Sequence, residues 1–203
     1  RWFLQRLEHH LYEPDSSLRN DSYYISVLEE ALTSGHLDGM MRIRPLYQLK
    51  MLKKNRIGIK AADFTFILST GELQNLWDIS AKYTLLLFYD PDCIYCRQSM
   101  MELSESSIIN SFLQHSGLSL SQLALVTICM EGEIDMWKEY QQSLPSVWIN
   151  GYDVRKVLTE KELYFLRSLP SIYLLGEDKQ VLLKEPSSIS EVTSYLLNKY
   201  DDI

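Results

Sequence analysis

The apolar positions of the chain follow two different periods, and the change between them falls near residue 58. Before it, Phe3, Leu4, Leu7 and Leu11 recur at helical spacing until Pro14 and Asp15 interrupt the run, which predicts a first short helix. Tyr24, Val27, Leu28, Ala31 and Leu32 form a second apolar stripe, with Asp21 or Ser22 able to cap its start and Gly35 to end it. Pro45 suits the first turn of a third helix, because its missing N–H costs nothing there. Leu46, Leu49 and Leu52 or Lys53 would supply the inward side of that helix before Asn55 and Gly58 stop it. Residues 1–57 therefore read as an all-helical domain.

Beyond that point, Phe64, Phe66 and Leu68 alternate with other residues and then meet Thr70 and Gly71, the pattern of a strand and a turn. Leu85, Leu86, Leu87, Phe88 and Tyr89 run without a polar interruption, as in a strand covered by helices on both faces. A helix over Cys96–Phe112 with Met100, Leu103, Ile108 and Phe112 inward, and a strand over Leu123–Met130, come next. Helices are expected over Glu133–Gln142 and Glu160–Leu166, separated by a short extended piece at Ser146–Ile149. Strands Ser171–Leu175 and Gln180–Lys184 are joined by a hairpin turn at Gly176–Lys179. A last amphipathic helix from Ser190 to Tyr200 would turn Val192, Tyr195, Leu196 and Tyr200 to the sheet. Residues 58–203 thus read as an α/β domain.

Composition narrows the classes. With 46% hydrophobic and 23% charged residues among 203, the chain has the makeup of a globular protein. Its apolar runs are too short for a membrane-spanning helix. A net charge of −7 argues against nucleic acid as a partner. Arg42, Arg44, Lys50, Lys53, Lys54, Arg56 and Lys60 form a local basic run without an acidic residue, read as a solvated helix face. The first residue is Arg1, and the expectation is that a preceding segment has been removed that would have carried any signal or membrane tether.

The chemistry concentrates at Phe88-Tyr89-Asp90-Pro91-Asp92-Cys93-Ile94-Tyr95-Cys96-Arg97, where two thiols stand one helical turn apart at a strand-to-helix junction. The unpaired amides of a helix start stabilise an anion, so Cys93 is the expected nucleophile. Cys96, one turn on and more buried, is the expected resolving thiol. Asp92, with Asp90 close by, disfavours a thiolate, and Arg97 favours it. Tyr95 could modulate access to the sulfurs. A zinc site would need a second ligand pair, and the chain has no other CxxC and no HxxxH, so no metal or organic cofactor is expected. Cys129 lies in the apolar run Leu123–Met130 and reads as a small buried hydrophobe. His9, His10, His36 and His115 are scattered and read as solvated or helix-face residues.

From Asp63 onward the chain resembles the thioredoxin-like proteins, in particular the bacterial envelope thiol-disulfide oxidoreductases. The resemblance implies a thioredoxin-like fold with a central mixed β-sheet flanked by helices, behind an N-terminal all-helical extension. Family members set a cis proline opposite the CxxC, and Leu169-Pro170-Ser171-Ile172-Tyr173-Leu174-Leu175 is similar to that element. Leu144-Pro145-Ser146 repeats its tripeptide, but only Pro170 leads into a strand, a turn, a strand and a helix. The resemblance implies that Pro170 shapes the floor beside Cys93 and that the Leu169 backbone pairs with extended substrate. Family members commonly carry Trp where this chain has Asp92. Leu11-Tyr12-Glu13-Pro14-Asp15-Ser16-Ser17-Leu18-Arg19-Asn20 and Lys54-Asn55-Arg56-Ile57-Gly58 resemble a domain of unknown function that precedes thioredoxin-like domains of Gram-negative envelope proteins. That likeness implies a periplasmic or cell-envelope location, as a secreted protein or lipoprotein, where dithiol chemistry is useful. The implied partners are protein thiols and disulfides and a redox partner. The alternative from another class is a binding or assembly module whose CxxC is structural or vestigial.

Overall fold

The periodicity at the start of the chain produces three helices: α1 (Trp2–Leu11), α2 (Asp21–Thr33) and α3 (Ile43–Leu52). The computed structural model describes residues 2–14, 16–114 and 121–200, so the readings placed on Asp15 and His115 lie outside the described residues. Two compact units emerge, Arg1–Lys54 and Asn55–Ile203. The α2 cap sits one residue earlier than the sequence suggests. Asn20 is the N-cap, and its side chain accepts from the Tyr23 amide at 3.0 Å. Gly35, at φ +75°, lies just beyond the end of α2 and adopts the left-handed backbone that glycine accommodates.

Helix α3 is rotated from the expected face. Pro45, Gln48, Met51 and Leu52 are buried, whereas Leu46 is exposed. The inward side of the helix takes part in a polar network that runs from the buried Gln48 and Tyr24 to the exposed Arg44. Glu8 accepts from Arg44 Nε at 2.9 Å and from Gln48 Nε2 at 2.7 Å, and the Tyr24 hydroxyl donates to Gln48 Oε1 at 3.1 Å. A buried glutamine with its hydrogen bonds made is stable, so the network links α1, α2 and α3 through polar contacts beside the buried Ile25, Leu28, Leu32, Met51 and Leu52.

Among the described residues the second unit carries seven strands: β1 (Thr65–Leu68), β2 (Leu73–Asn75), β3 (Ala81–Tyr89), β4 (Ser121–Cys129), β5 (Ile149–Tyr152), β6 (Ser171–Gly176) and β7 (Val181–Lys184). They form one mixed sheet in the order β2-β1-β5-β4-β3-β6-β7. Strands β3, β4 and β5 are parallel, while β6, β7, β1 and β2 join antiparallel. Helices α4 (Ile94–Glu105), α5 (Ser107–Gln114), α6 (Ile134–Tyr140), α7 (Val157–Glu160) and α8 (Ile189–Tyr200) complete the unit. The uninterrupted apolar run of β3 serves both faces. Leu85, Leu87 and Tyr89 pack in the core with α4, α5, α6 and α8 residues, and Leu86 and Phe88 in a second core with Phe64, Phe66, Leu158 and Tyr164. Val192 and Leu196 of α8 are buried as the stripe predicts, and the side chain of Tyr200 lies outside the described residues.

Three expectations are corrected. The single helix over Cys96–Phe112 is two, because Ser106 takes an extended backbone (ψ 111°), and its hydroxyl accepts from the Ile109 amide at 3.3 Å. That break turns Ile109 rather than Ile108 fully into the core. The extended piece expected at Ser146–Ile149 begins only at Ile149, since Trp148 closes a turn onto the Pro145 carbonyl at 3.0 Å. The helix expected over Glu160–Leu166 ends at Glu160. Asp153 starts it early by accepting from the Val157 and Leu158 amides at 3.0 and 2.9 Å, and Tyr164 is drawn into an aromatic cluster with Phe64, Phe88 and Tyr173.

Two substitutions test this packing. Glu8→Ala, which leaves Arg44 and Gln48 without their shared acceptor, is expected to destabilise the helical unit by about 1–3 kcal/mol in urea unfolding followed by circular dichroism. A methyl at Gly151 would run into the Phe66 ring and stand 2.9 Å from Ile128 Cδ1. Gly151→Ala is therefore expected to destabilise the sheet by roughly 1–3 kcal/mol in the same measurement.

Candidate functional site

The site begins where β3 runs out. Asp90 and Pro91 leave the strand, the Cys93 amide donates to the Asp90 carbonyl at 3.1 Å, and the Asp90 carboxylate accepts from the Asp92 amide at 2.9 Å. This turn delivers Cys93 to the N-cap of α4 with an extended backbone (φ −76°, ψ 119°). Its sulfur accepts from the Cys96 amide at 3.3 Å, the position in which capping oxygens satisfy a helix start. Developing negative charge on Cys93 Sγ thus faces a first-turn N–H and the positive end of the helix dipole.

The two thiols differ in environment. Cys93 is half-buried, whereas Cys96 is fully buried in the core on the α4 side of the sheet. Burial pushes the Cys96 thiol well above the ordinary range, the Asp90 backbone N–H opposes the rise, and the neighbouring Cys93 and the Asp90 charge add to it. Burial therefore favours the protonated form of Cys96. Cys93, Cys96 and Cys129 are all free.

The opposite wall comes from the other end of the sequence. Strand β6 pairs antiparallel with β3 in the register Phe88↔Ser171, which sets the residues before Ser171 beside the end of β3. The Leu169–Pro170 peptide bond is cis, and the Leu169 carbonyl lies 3.5 Å from Cys93 Sγ. Among the described residues it is the only cis bond, so Pro145 does not share the feature.

Cys93, Cys96, Leu169 and Pro170 are thus brought together. Tyr95 is exposed on the first turn of α4 beside Cys93. Asp92 and Arg97 are exposed, and Arg97 Nη1 donates to the Pro91 carbonyl at 2.7 Å, bracing the turn. The carboxylate that bears on the buried thiols is that of Asp90, whose charge raises both Cys96 and Cys129. Asp90, half-buried at the end of β3, is nearer in effect to these two thiols than the exposed Asp92. Cys129 donates to the Glu131 carbonyl at 3.1 Å within the core, as a buried thiol does. His9, His10 and His36 are exposed. Among the described residues no cluster of His, Cys, Asp and Glu is placed to hold a metal ion, and no helix is long and apolar enough to cross a membrane.

The fold that carries this arrangement has solved relatives. A thioredoxin-like protein from Bacteroides caccae superposes with a TM-score of 0.90 at 34% identity, matching 97% of this chain and 69% of its own length. The chain belongs to the thioredoxin-like proteins. A C-terminal domain of an uncharacterized protein from Bacteroides fragilis matches the same fold at 36% identity and a TM-score of 0.65, over 70% of this thioredoxin-like chain and 98% of that one. A domain of a possible thiol-disulfide isomerase from Cytophaga hutchinsonii, at 21% identity and a TM-score of 0.60, covers 74% of this chain and 97% of its own, and shares the fold. At the N-terminus of this thioredoxin-like protein, residues 1–55 match a domain of unknown function (DUF5106). Comparison with curated proteins finds no match.

The pH behaviour of the third thiol follows from its burial. In the folded protein burial pushes Cys129 up to about 12, with the Asp90 charge adding and the Glu131 backbone opposing. Because the folded value lies above the unfolded one, Cys129 stabilises the fold fully below the ordinary thiol range and loses that contribution as pH rises toward about 12. Cys129→Ala is expected to narrow the drop in unfolding free energy between about pH 8 and about pH 10.5, read by urea titration at the two values.

Proposed function

We propose that this protein is a thiol-disulfide oxidoreductase that exchanges disulfides with protein substrates through Cys93 and Cys96. The observation that carries the reading is the half-buried Cys93 sulfur at the start of α4, 3.5 Å from the Leu169 carbonyl, with a fully buried Cys96 one turn behind it. In the reducing direction the Cys93 thiolate attacks one sulfur of a substrate disulfide. The Cys93–substrate bond forms as the substrate S–S bond breaks, and the departing substrate thiolate takes a proton. Cys96 then gives up its proton and attacks Cys93 Sγ, releasing the second substrate thiol and leaving a Cys93–Cys96 disulfide. A dithiol redox partner returns that disulfide to thiols, and the same steps in reverse oxidise a substrate.

The reaction needs no metal or organic cofactor. Leu169 and Pro170 form the platform beside Cys93, Tyr95 lines the approach, and Asp92 and Arg97 shape the electrostatics of the turn. Residues 58–203 carry the exchange chemistry and residues 1–57 are a separate helical domain. The fitting compartment is the periplasm or cell envelope, because oxidising surroundings supply disulfide substrates.

The test is equilibration of the Cys93–Cys96 pair in thiol buffers of graded potential, read by mass after alkylation. A reversible two-electron transition is expected, and its midpoint sets the physiological direction. Cys93→Ser is expected to abolish exchange with a disulfide-linked peptide, and Cys96→Ser to accumulate the mixed disulfide through Cys93. A pair that never forms a disulfide, or that no thiol buffer reduces in the native protein, overturns the reading in favour of a non-catalytic binding module.

A further inference from the structure

A buried ion pair stands behind the wall that faces Cys93. Arg167 Nη1 lies 3.7 Å from Glu185 Oε2, and their side chains are only 6% and 12% exposed. The guanidinium also sits over the Phe165 ring, 4.9 Å from its centroid, and the Phe165 carbonyl accepts from the buried Tyr173 hydroxyl at 3.0 Å. Glu185 follows the last residue of β7, and its amide donates to the Ile172 carbonyl of β6 at 2.8 Å. These contacts close a ring around residues 167–172. One end is held by the Arg167 side chain, the other by Ile172, and Glu185 grips both. Leu169 and Pro170 lie inside the ring.

Two features separate this pair from ordinary packing. Glu185 has φ +48°, a left-handed backbone in which glycine would carry no Cβ penalty, so its side chain occupies the position at a conformational cost. A buried ion pair also contributes little net stability relative to an apolar pair of the same shape, because desolvation offsets the attraction. What it supplies is direction. A guanidinium and a carboxylate fix where the backbone that bears them must sit.

We propose that Arg167 and Glu185 are positioning residues of the exchange reaction, holding the Leu169 carbonyl beside Cys93 so that a polypeptide disulfide docks in register with the attacking sulfur. This inference rests on the oxidoreductase reading. It assigns neither residue any contact with the reacting sulfurs.

The experiment compares wild type, Arg167→Met, Glu185→Gln and the double reversal Arg167→Glu/Glu185→Arg. A disulfide-linked peptide is the substrate, and hydrogen exchange is followed at the Ser168 and Leu169 amides. Each single substitution is expected to raise KM for the peptide roughly tenfold with a smaller change in kcat, and to speed exchange at those amides by a similar factor. The double reversal is expected to recover part of both. Single variants that match wild type in KM and in amide exchange overturn the inference while leaving the oxidoreductase reading intact. Loss of kcat and KM in parallel with a lowered melting temperature, without recovery in the double reversal, assigns the pair to stability alone and also overturns it. A wild-type protein that exchanges no disulfide overturns the underlying reading, and the inference with it.

Discussion

The hydrogen-bonded pairing of β3 with β4 on one side and β6 on the other is the constraint on which the rest of the second unit depends. Strand β3 pairs in parallel with β4 and antiparallel with β6, and each pairing runs along most of its length. Because it is central, its side chains fill both cores, and because it is long, its register with β6 fixes where Ser171 arrives, next to the Leu169–Pro170 segment. A slip of one residue would reverse every side chain of β6, exchanging Ile172 and Leu174 with Tyr173 and Leu175 between two differently shaped cores. The proximity of Cys93 to Leu169 is therefore secured by apolar packing along the sheet as well as by the local contacts of the turn.

The same strand end creates the asymmetry between the thiols. Backbone geometry at Asp90–Asp92 places Cys93 at a helix cap, half in solvent, and the helical turn then carries Cys96 inward. Three positions of sequence thus span the boundary between a half-buried sulfur and one whose burial penalises a thiolate. Asp90 is the hinge of this arrangement. Its carbonyl and carboxylate shape the turn, while its charge and its backbone N–H act in opposite senses on Cys96.

The first unit is organised differently. Its centre is not purely apolar: the buried Gln48 and Tyr24 share a hydrogen bond, and Glu8 accepts from Gln48 and from the exposed Arg44. Such networks specify one arrangement of the helices because each donor must meet its own acceptor. That is also why the apolar stripe of α3 misleads. Leu46 satisfies the period yet is exposed, and Gln48 breaks it yet is buried.

What the sequence determined by itself is what local physics decides. The helical and alternating periods, the uninterrupted run of β3, the two cysteines one turn apart at a strand-to-helix junction and the hairpin at Gly176–Lys179 all appear in the structure, because period, capping and turn chemistry act between near neighbours. Contacts between distant segments decided the remainder. Ser106 splits a continuous helical pattern, Asp153 and the aromatic cluster redirect residues 153–166, and Gly151 is required by a Phe66 ring some eighty residues away in the chain. The effect of Asp90 on Cys129, and the closure of Arg167 onto Glu185, depend likewise on where the sheet brings remote side chains. No periodicity encodes such meetings, since their free energy exists only once the strands have paired.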